Sequence, residues 1–391
     1  MSDLPRVLVY APFSFNGQGP AESCASIVDG FSPLAIKTEL FVARIRNHIP
    51  RNVDLHQSLP LAKRHLPWRM VNRQALSKLD EDFKLALRTA DPANTIAYFW
   101  PDPAVELVQE ARRRGIVTVR EMINTACATS GPILDAAYAR LGLPQTHPVS
   151  KDKIVTETRE LRSYDFFFAS NPEVEKSLQQ LDVKPGQILR TTFGWTPGRL
   201  LKSTASSRAG GGTRFLFVGA LSVRKGIPEL LDAWHEAKVE GELLLAGRSS
   251  PDIASLLHHH KSNARIRILG YVKDVGPLFR SADVFVFPTL EEGGPQVTYE
   301  AAGCGLPVIT TAMGAARLVE TGITGVVVDS GSVAQLTEAI RLLGARDDLR
   351  VAYGERARRR AADFVYSKVG LQRCGQLLSI LEEHRRHEAQ P

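Results

Sequence analysis

Short apolar runs recur along the chain, each closed by Gly, Pro, Asn or Asp, and stretches of helical period separate them. In the first half the runs fall at 6–10, 38–42, 95–99, 116–120, 165–169 and 187–191, and they read as strands. Helices are expected from residue 21, over 104–114 ahead of the stop at Gly115, and over 131–141 and 154–163. Another follows Asn171, whose side chain suits an N-cap. From 193 to 212 the period disappears into GWTPGRLLKSTASSRAGGG, which reads as a flexible connection. The alternation then restarts, with strands at 214–218, 242–246, 266–269, 284–287, 306–311 and 326–328. Helices at 227–237, 296–304, 333–343, 347–364 and 368–384 lie between and after them, and a short one closes at 279–282.

Strand–helix repetition of this kind builds parallel sheets with helices on both faces. The expected fold class is α/β: two doubly wound, Rossmann-like domains facing each other across a cleft. The first takes 1–195 and the second 196–365, while 366–391 is a final helix able to pack back on the first domain. A length of 391 residues agrees, being too great for one typical core.

Composition changes this picture little. Hydrophobic content of 43% and charge of 23% are those of a soluble globular protein. No apolar run approaches the roughly 18 residues of a spanning helix. The opening MSDLPRVLVYAPF carries an acid and runs into a strand, unlike a secretory leader. Cys24, Cys127, Cys304 and Cys374 lie far apart, with no pair at metal-ligand spacing, so reduced cytoplasmic thiols are expected.

Charge adds one question. The net charge of +7 favours anionic partners, and between Arg44 and Arg73 seven Arg or Lys residues stand against one acid, Asp54. A solvated face is the plain reading. The functional one is a peripheral contact of 44–73, with Leu66 and Trp68 in it, at the inner face of a membrane. Nucleic acid is not expected, because the basic residues lack the interleaved aromatics of a stacking platform.

Candidate chemistry gathers at strand ends. The segment EEGGPQVTYEAAGCGLPVITT (291–311) is loop, helix and strand after the run at 284–287, one βαβ unit. Gly293, Gly294 and Pro295 break the strand, Gly305 is placed to cap the helix, and Pro295 at the first helical position leaves the next N–H groups open to an anion. Seven residues separate Glu292 from Glu300 in it. A second loop, 219–226, holds Gly219, Arg224 and Lys225 at a strand end. Cations beside a helix N-terminus suit a pyrophosphate, and ionised carboxylates suit hydroxyl donors. Together they describe a nucleotide-sugar. In the first half, Gly17 and Gly19 follow the first strand without forming GxGxxG, and Glu121 and Asn124 follow the strand at 116–120.

This combination resembles the GT-B retaining glycosyltransferases of family four over nearly the whole chain. The mark is E-x7-E, Glu292 to Glu300, ahead of Cys304-Gly305-Leu306-Pro307-Val308-Ile309. The resemblance implies that Glu292 holds donor-sugar hydroxyls and Glu300 the ribose diol. It implies that backbone amides of Gly294, Gln296 and Val297 face the sugar and distal phosphate, and that Lys225 contacts the donor phosphates. Glu160, Asp165 and Ala169-Ser170 match the family's segments ahead of the interdomain connection.

The chain departs from the family at three places. Ala220 stands where the family has Arg, leaving Arg224 to supply the charge; Gly294 and Pro295 replace an aromatic and a glycine; and Glu121 or Asn124 stands in place of a His on the acceptor side. By this resemblance the reaction moves a sugar from a nucleoside diphosphate to an acceptor hydroxyl of a glycan or lipid-linked acceptor, with retention of configuration. No cofactor and no metal are expected; His258-His259-His260 reads as an exposed helix end. A nucleotide-sugar epimerase and a catalytically lapsed nucleotide-sugar-binding protein are the alternatives.

Overall fold

The computed structural model describes residues 4–15, 19–46, 49–201, 212–260 and 263–388. The first sheet holds β1 (Arg6–Phe15), β2 (Lys37–Ile45), β3 (Val53–Gln57), β4 (Thr95–Phe99), β5 (Val117–Met122), β6 (Phe166–Ala169) and β7 (Ile188–Arg190). The second holds β8 (Thr213–Val218), β9 (Gly241–Ala246), β10 (Ile266–Gly270), β11 (Val284–Phe287), β12 (Val308–Thr311) and β13 (Gly325–Val328). Strands β4, β5, β8, β11 and β12 are buried at every position. Such strands carry continuous apolar runs because helices cover both faces of a parallel sheet.

In the first domain the helices are α1 (Gly19–Asp29), α2 (Trp68–Arg88), α3 (Val105–Arg113), α4 (Cys127–Arg140), α5 (Lys151–Leu161) and α6 (Pro172–Gln179). In the connection and second domain they are α7 (Pro197–Leu200), α8 (Ile227–Ala237), α9 (Ala254–His260), α10 (Gly276–Ser281), α11 (Gln296–Gly303), α12 (Ala312–Ala315), α13 (Val333–Ala345) and α14 (Asp347–Ala361). The last, α15 (Tyr366–Glu388), returns to the first domain and packs on α1. A Cβ added at Gly30 would lie 2.8 Å from the Gly370 Cα, so the two segments meet through glycines.

All pairings are parallel, in the orders β3-β2-β1-β4-β5-β6-β7 and β10-β9-β8-β11-β12-β13. Each order reverses direction once, at β1/β4 and at β8/β11. Open α/β sheets form their ligand crevice outside the carboxyl ends of strands at such a reversal. The expected α/β fold of two doubly wound domains is the one observed.

Three local readings are corrected. The first strand, read as ending at residue 10, continues as far as Phe15: after an irregularity, Ser14 pairs with Arg44 and Phe15 with Ile45. Strand β3 and the start of helix α2 lie in the stretch read only as a basic patch, and the rest of α2 was not read. Charges hid the repeat that makes α2, whose buried Val71, Ala75, Leu79 and Phe83 recur every four residues. Arg44 does not belong to an exposed basic face. It is 3% exposed, donates to Ser14 Oγ at 2.7 Å and to the carbonyls of Arg64 and Leu66 at 2.8 and 2.6 Å, and lies over the Trp68 ring.

The connection is packed at its start. Trp195 is buried, its ring N–H donates to the Ala361 carbonyl at 2.8 Å, and its backbone pairs with Val365. The two chain passages between domains thus run side by side. Residues 202–211, also read as flexible, lie outside the described residues.

Candidate active site

The loops after β8 and β11 meet at the reversal of the second sheet. Gly226 makes this possible: its φ is +70°, and an added Cβ would fall 2.0 Å from the Pro288 carbonyl oxygen. The Arg224 carbonyl then accepts from Leu290 N at 2.9 Å and from Thr289 Oγ1 at 3.3 Å. Buried hydroxyls of β12 hold the same loop from below, Thr310 on the Phe287 carbonyl and Thr311 on the Thr289 carbonyl, both at 2.6 Å.

On this base sit the charged groups. The Lys225 ammonium pairs with Glu292 and lies 5.4 Å from the Phe287 ring centre. Arg224 Nε pairs with Glu291 Oε2 at 2.8 Å, and its Nη2 lies 3.9 Å from Glu292. Burial draws the Lys225 ammonium below the ordinary lysine value, against the pull of Glu292. Burial also opposes ionisation of Glu292, but Lys225 and Arg224 outweigh it and hold the carboxyl below the usual range. For Arg224 burial is offset by Glu291 and Glu292, and its pKa is raised. The site therefore holds a carboxylate between two cations.

The loop at 219–226 supplies Gly219, Arg224 and Lys225 to one cavity of about 350 Å³, and the β11–α11 loop supplies Glu292, Gly294, Gln296 and Val297. Gly19 and Asn124 of the first domain complete it from across the cleft. A second cavity, of about 690 Å³, adjoins it between the domains. Its walls are the ends of β4 and β5, helices α4 and α5 with the loop between them, and Ser222, Glu291 and 250–252 of the second domain. Asn124 and Arg224 line both cavities.

Three candidates sit elsewhere than expected. Glu121 borders the larger cavity, but its side chain is fully buried and engaged: it pairs with Arg373 of α15 at 2.5 Å and accepts from the Tyr98 hydroxyl. Successive side chains alternate across a strand, so Arg120 and Glu121 take opposite faces of β5, and Glu121 went to the α15 side. Burial raises its pKa against the Arg373 charge. Glu300 is 5% exposed and paired with Arg199 of α7 at 2.6 Å, and it is not part of the lining that Glu292 shares. Burial lifts its pKa against Arg199. Gly293 is backed against the first domain, where an added Cβ would fall 2.2 Å from the Ile123 carbonyl oxygen. Gly17 lies outside the described residues.

The helix start differs too. Pro295 is the N-cap and not the first helical residue. The Gln296 N–H donates to the Gly294 carbonyl at 2.9 Å, so it does not face a ligand, and the Gln296 side chain reaches Ser23 and Tyr366 instead. Glu291, Thr125 and Arg199 were missed. Glu291 adjoins Glu292 in sequence, but nothing in the spacing says which of two neighbouring carboxylates turns toward which cavity. Among the described residues no group of three or more His, Cys, Asp or Glu could hold a metal ion.

Residues 212–345 match the family model described as glycosyl transferases group 1. This stretch is a group 1 glycosyltransferase domain. It contains both loops and every charged group of the smaller cavity. Among curated relatives, the capsular polysaccharide biosynthesis glycosyltransferase CapM of Staphylococcus aureus is 31% identical over 161 residues, 39% of this chain and 42% of that protein. The O-antigen chain mannosyltransferase B of Escherichia coli is 33% identical over 128 residues, 30% of this chain and 32% of that protein. The matches thus span less than half the length of these relatives. The group 1 domain and its partner domain together have the GT-B fold. The Anabaena Alr3699/HepE structure in complex with UDP and glucose covers 96% of this chain and 100% of that one, with a TM-score of 0.68 at 16% identity. WaaG, a glycosyltransferase involved in lipopolysaccharide biosynthesis, covers 95% and 99%, with a TM-score of 0.66 at 17% identity.

Proposed function

We propose that this chain is a glycosyltransferase that moves a sugar from a nucleoside diphosphate to an acceptor hydroxyl, in the assembly of a polysaccharide or glycolipid. One observation carries the reading: Lys225, Arg224 and Glu292 converge on a cavity at the reversal point of the second sheet, open toward the first domain. Two cations suit the charge that grows on a departing pyrophosphate, and a preorganised charge of this kind is commonly worth about 2.7–4 kcal/mol of barrier. Glu292, ionised between them, accepts hydrogen bonds from donor-sugar hydroxyls. Uridine nucleotides are the first donors to test, since the Anabaena neighbour binds UDP and UDP-glucose. The larger cavity, on the far side of Arg224 and Asn124, receives the acceptor. Arg224 and Lys225 stabilise the leaving group without a metal, and configuration is retained. The relatives reported above are transferases, and none is an epimerase.

A thermal-shift screen against uridine, guanosine and adenosine diphosphate sugars tests the reading, because a ligand that binds only the native state raises its stability. One donor should stand out and should be turned over in the presence of a strong chelator. No shift with any donor, or complete loss of turnover that a metal restores, sinks it. For the acceptor, exposed Leu61 and Met70 (79% and 68%) stand beside Lys63, Arg69 and Arg73, which favours a lipid-linked acceptor reached at an anionic membrane surface. Sedimentation with anionic but not neutral vesicles, lost in Leu61→Glu/Met70→Glu, is the expected result. No described helix is long and apolar enough to cross a membrane.

A further inference from the structure

Ile123, Asn124 and Arg224 line both cavities, and Arg224 is held there by an ion pair with Glu291 that both domains contact. Glu291 is 2% exposed, and its Oε1 accepts from Thr125 N at 3.1 Å and from Thr125 Oγ1 at 2.9 Å. Its Oε2 holds Arg224 Nε at 2.8 Å, while Arg224 Nη2 donates to Asn124 Oδ1 at 2.8 Å. Glu291 and Arg224 belong to the second domain, Asn124 and Thr125 to the first. A guanidinium is a rigid plane, so contacts at Nε and at one terminal nitrogen fix its orientation. Removing either end frees a long, flexible side chain to leave the donor cavity.

We propose that Glu291, Asn124 and Thr125 are positioning residues for Arg224, through which the first domain controls the second domain's hold on the donor pyrophosphate. The inference rests on the glycosyltransferase reading above. Its physical sense lies in Ala220, which leaves the loop at 219–226 without the Arg of the resembling family. Arg224, four residues on, reaches the donor only along a path that Glu291 defines. Glu291 in turn is a buried carboxylate whose Oε1 is satisfied by the backbone and hydroxyl of Thr125. With the domains apart Arg224 keeps its pair with Glu291 but both lose their partners across the cleft; closure restores Asn124 and Thr125 and fixes the guanidinium. Hydrolysis of the donor is thereby discouraged until the acceptor cavity is formed.

A double-mutant cycle tests this, with affinity for UDP as the readout and GDP and ADP as parallel probes. Arg224→Ala should weaken binding of the preferred nucleotide about 10- to 100-fold, as expected for one charge-assisted contact. Thr125→Val should weaken it about 3- to 10-fold, and Thr125→Ser, which keeps the hydroxyl, should restore it. In an Arg224→Ala background, Thr125→Val should change affinity less than about twofold, because there is no guanidinium left to position. Should Arg224→Ala fail to fold, Arg224→Gln takes its place in the cycle. A purely structural role predicts equal losses of affinity and of Tm in both backgrounds, and that additive result overturns the proposal. Wild-type protein that binds none of the three nucleotides overturns the glycosyltransferase reading, and this inference with it.

Discussion

Replacing Arg373 by Met tests whether Glu121 is a structural or a catalytic carboxylate. Both side chains of the pair are 0% exposed. Arg373 donates to Glu121 Oε2 at 2.5 Å, the Thr192 carbonyl at 2.8 Å, Ser170 Oγ at 3.0 Å and Tyr98 Oη at 3.2 Å. Methionine fills much of the volume but leaves Glu121 with hydroxyl partners only. Breaking a buried pair from one side costs about 3–5 kcal/mol. For a domain of roughly 200 residues, each kcal/mol moves the midpoint by about 2–4 °C, so the expected loss is about 6–20 °C. The sign of the pH dependence follows from the same geometry. Burial already lifts the Glu121 pKa above its ordinary value, and without Arg373 it rises further. The native variant then binds more protons than the unfolded chain, so its stability falls as pH rises above the unfolded glutamate value of about 4.3. Differential scanning fluorimetry at pH 5 and pH 7.5 should show a smaller deficit at pH 5. Adding Glu121→Leu should recover most of the loss, since an apolar pair of similar volume is often neutral. A single variant melting within about 2 °C of wild type, below one kcal/mol on this scale, refutes the account. So does Glu121→Gln that folds normally and loses turnover.

Lys225→Ala and Glu292→Gln should each lower turnover by about 100-fold or more without unfolding the protein, read by steady-state kinetics beside far-UV circular dichroism; near-normal turnover in folded Glu292→Gln excludes the donor site. Burial lowers the Lys225 pKa, so its charge is lost as pH rises before the ordinary value of about 10.4 is reached. The alkaline fall of kcat/KM should therefore begin below that value and move upward in Lys225→Arg. Gly294→Ala would place a Cβ 1.7 Å from the Phe193 ring, so overpacking of about 1–3 kcal/mol and a raised KM for the donor are expected, both relieved by Phe193→Ala.

Much of the architecture was legible because its signals are local. Buried parallel strands announce themselves as apolar runs, and helix 227–237 was bounded to the residue by Gly226 and the apolar spacing within it. Asn171 caps α6 as its sequence position suggests, accepting from Glu173 N at 3.0 Å. The gathering of the Lys225 and Glu292 loops at one sheet edge was legible too, because each follows an apolar strand run and β8 and β11 are neighbours. What failed locally failed for local reasons: α2 and β3 carry weak apolar faces under dense charge, and α4 begins at Cys127 despite Gly131 and Pro132 inside it.

Everything that depended on which way a side chain turns was decided by the tertiary structure. Glu121 and Asn124 lie three residues apart on the same strand end, yet α15 claims the first as a buried ion-pair partner while the second opens onto both cavities. Glu300 carries the family spacing but meets Arg199, a residue from a connection whose sequence looked structureless. Glu291 and Glu292 are adjacent, and the β11–α11 loop turns one toward Thr125 across the cleft and the other toward Lys225. Local pattern determines elements, because period and capping act within a few residues. Pairing of buried charges is a long-range matter, set by which groups the fold brings together away from water, and no spacing within the chain encodes it.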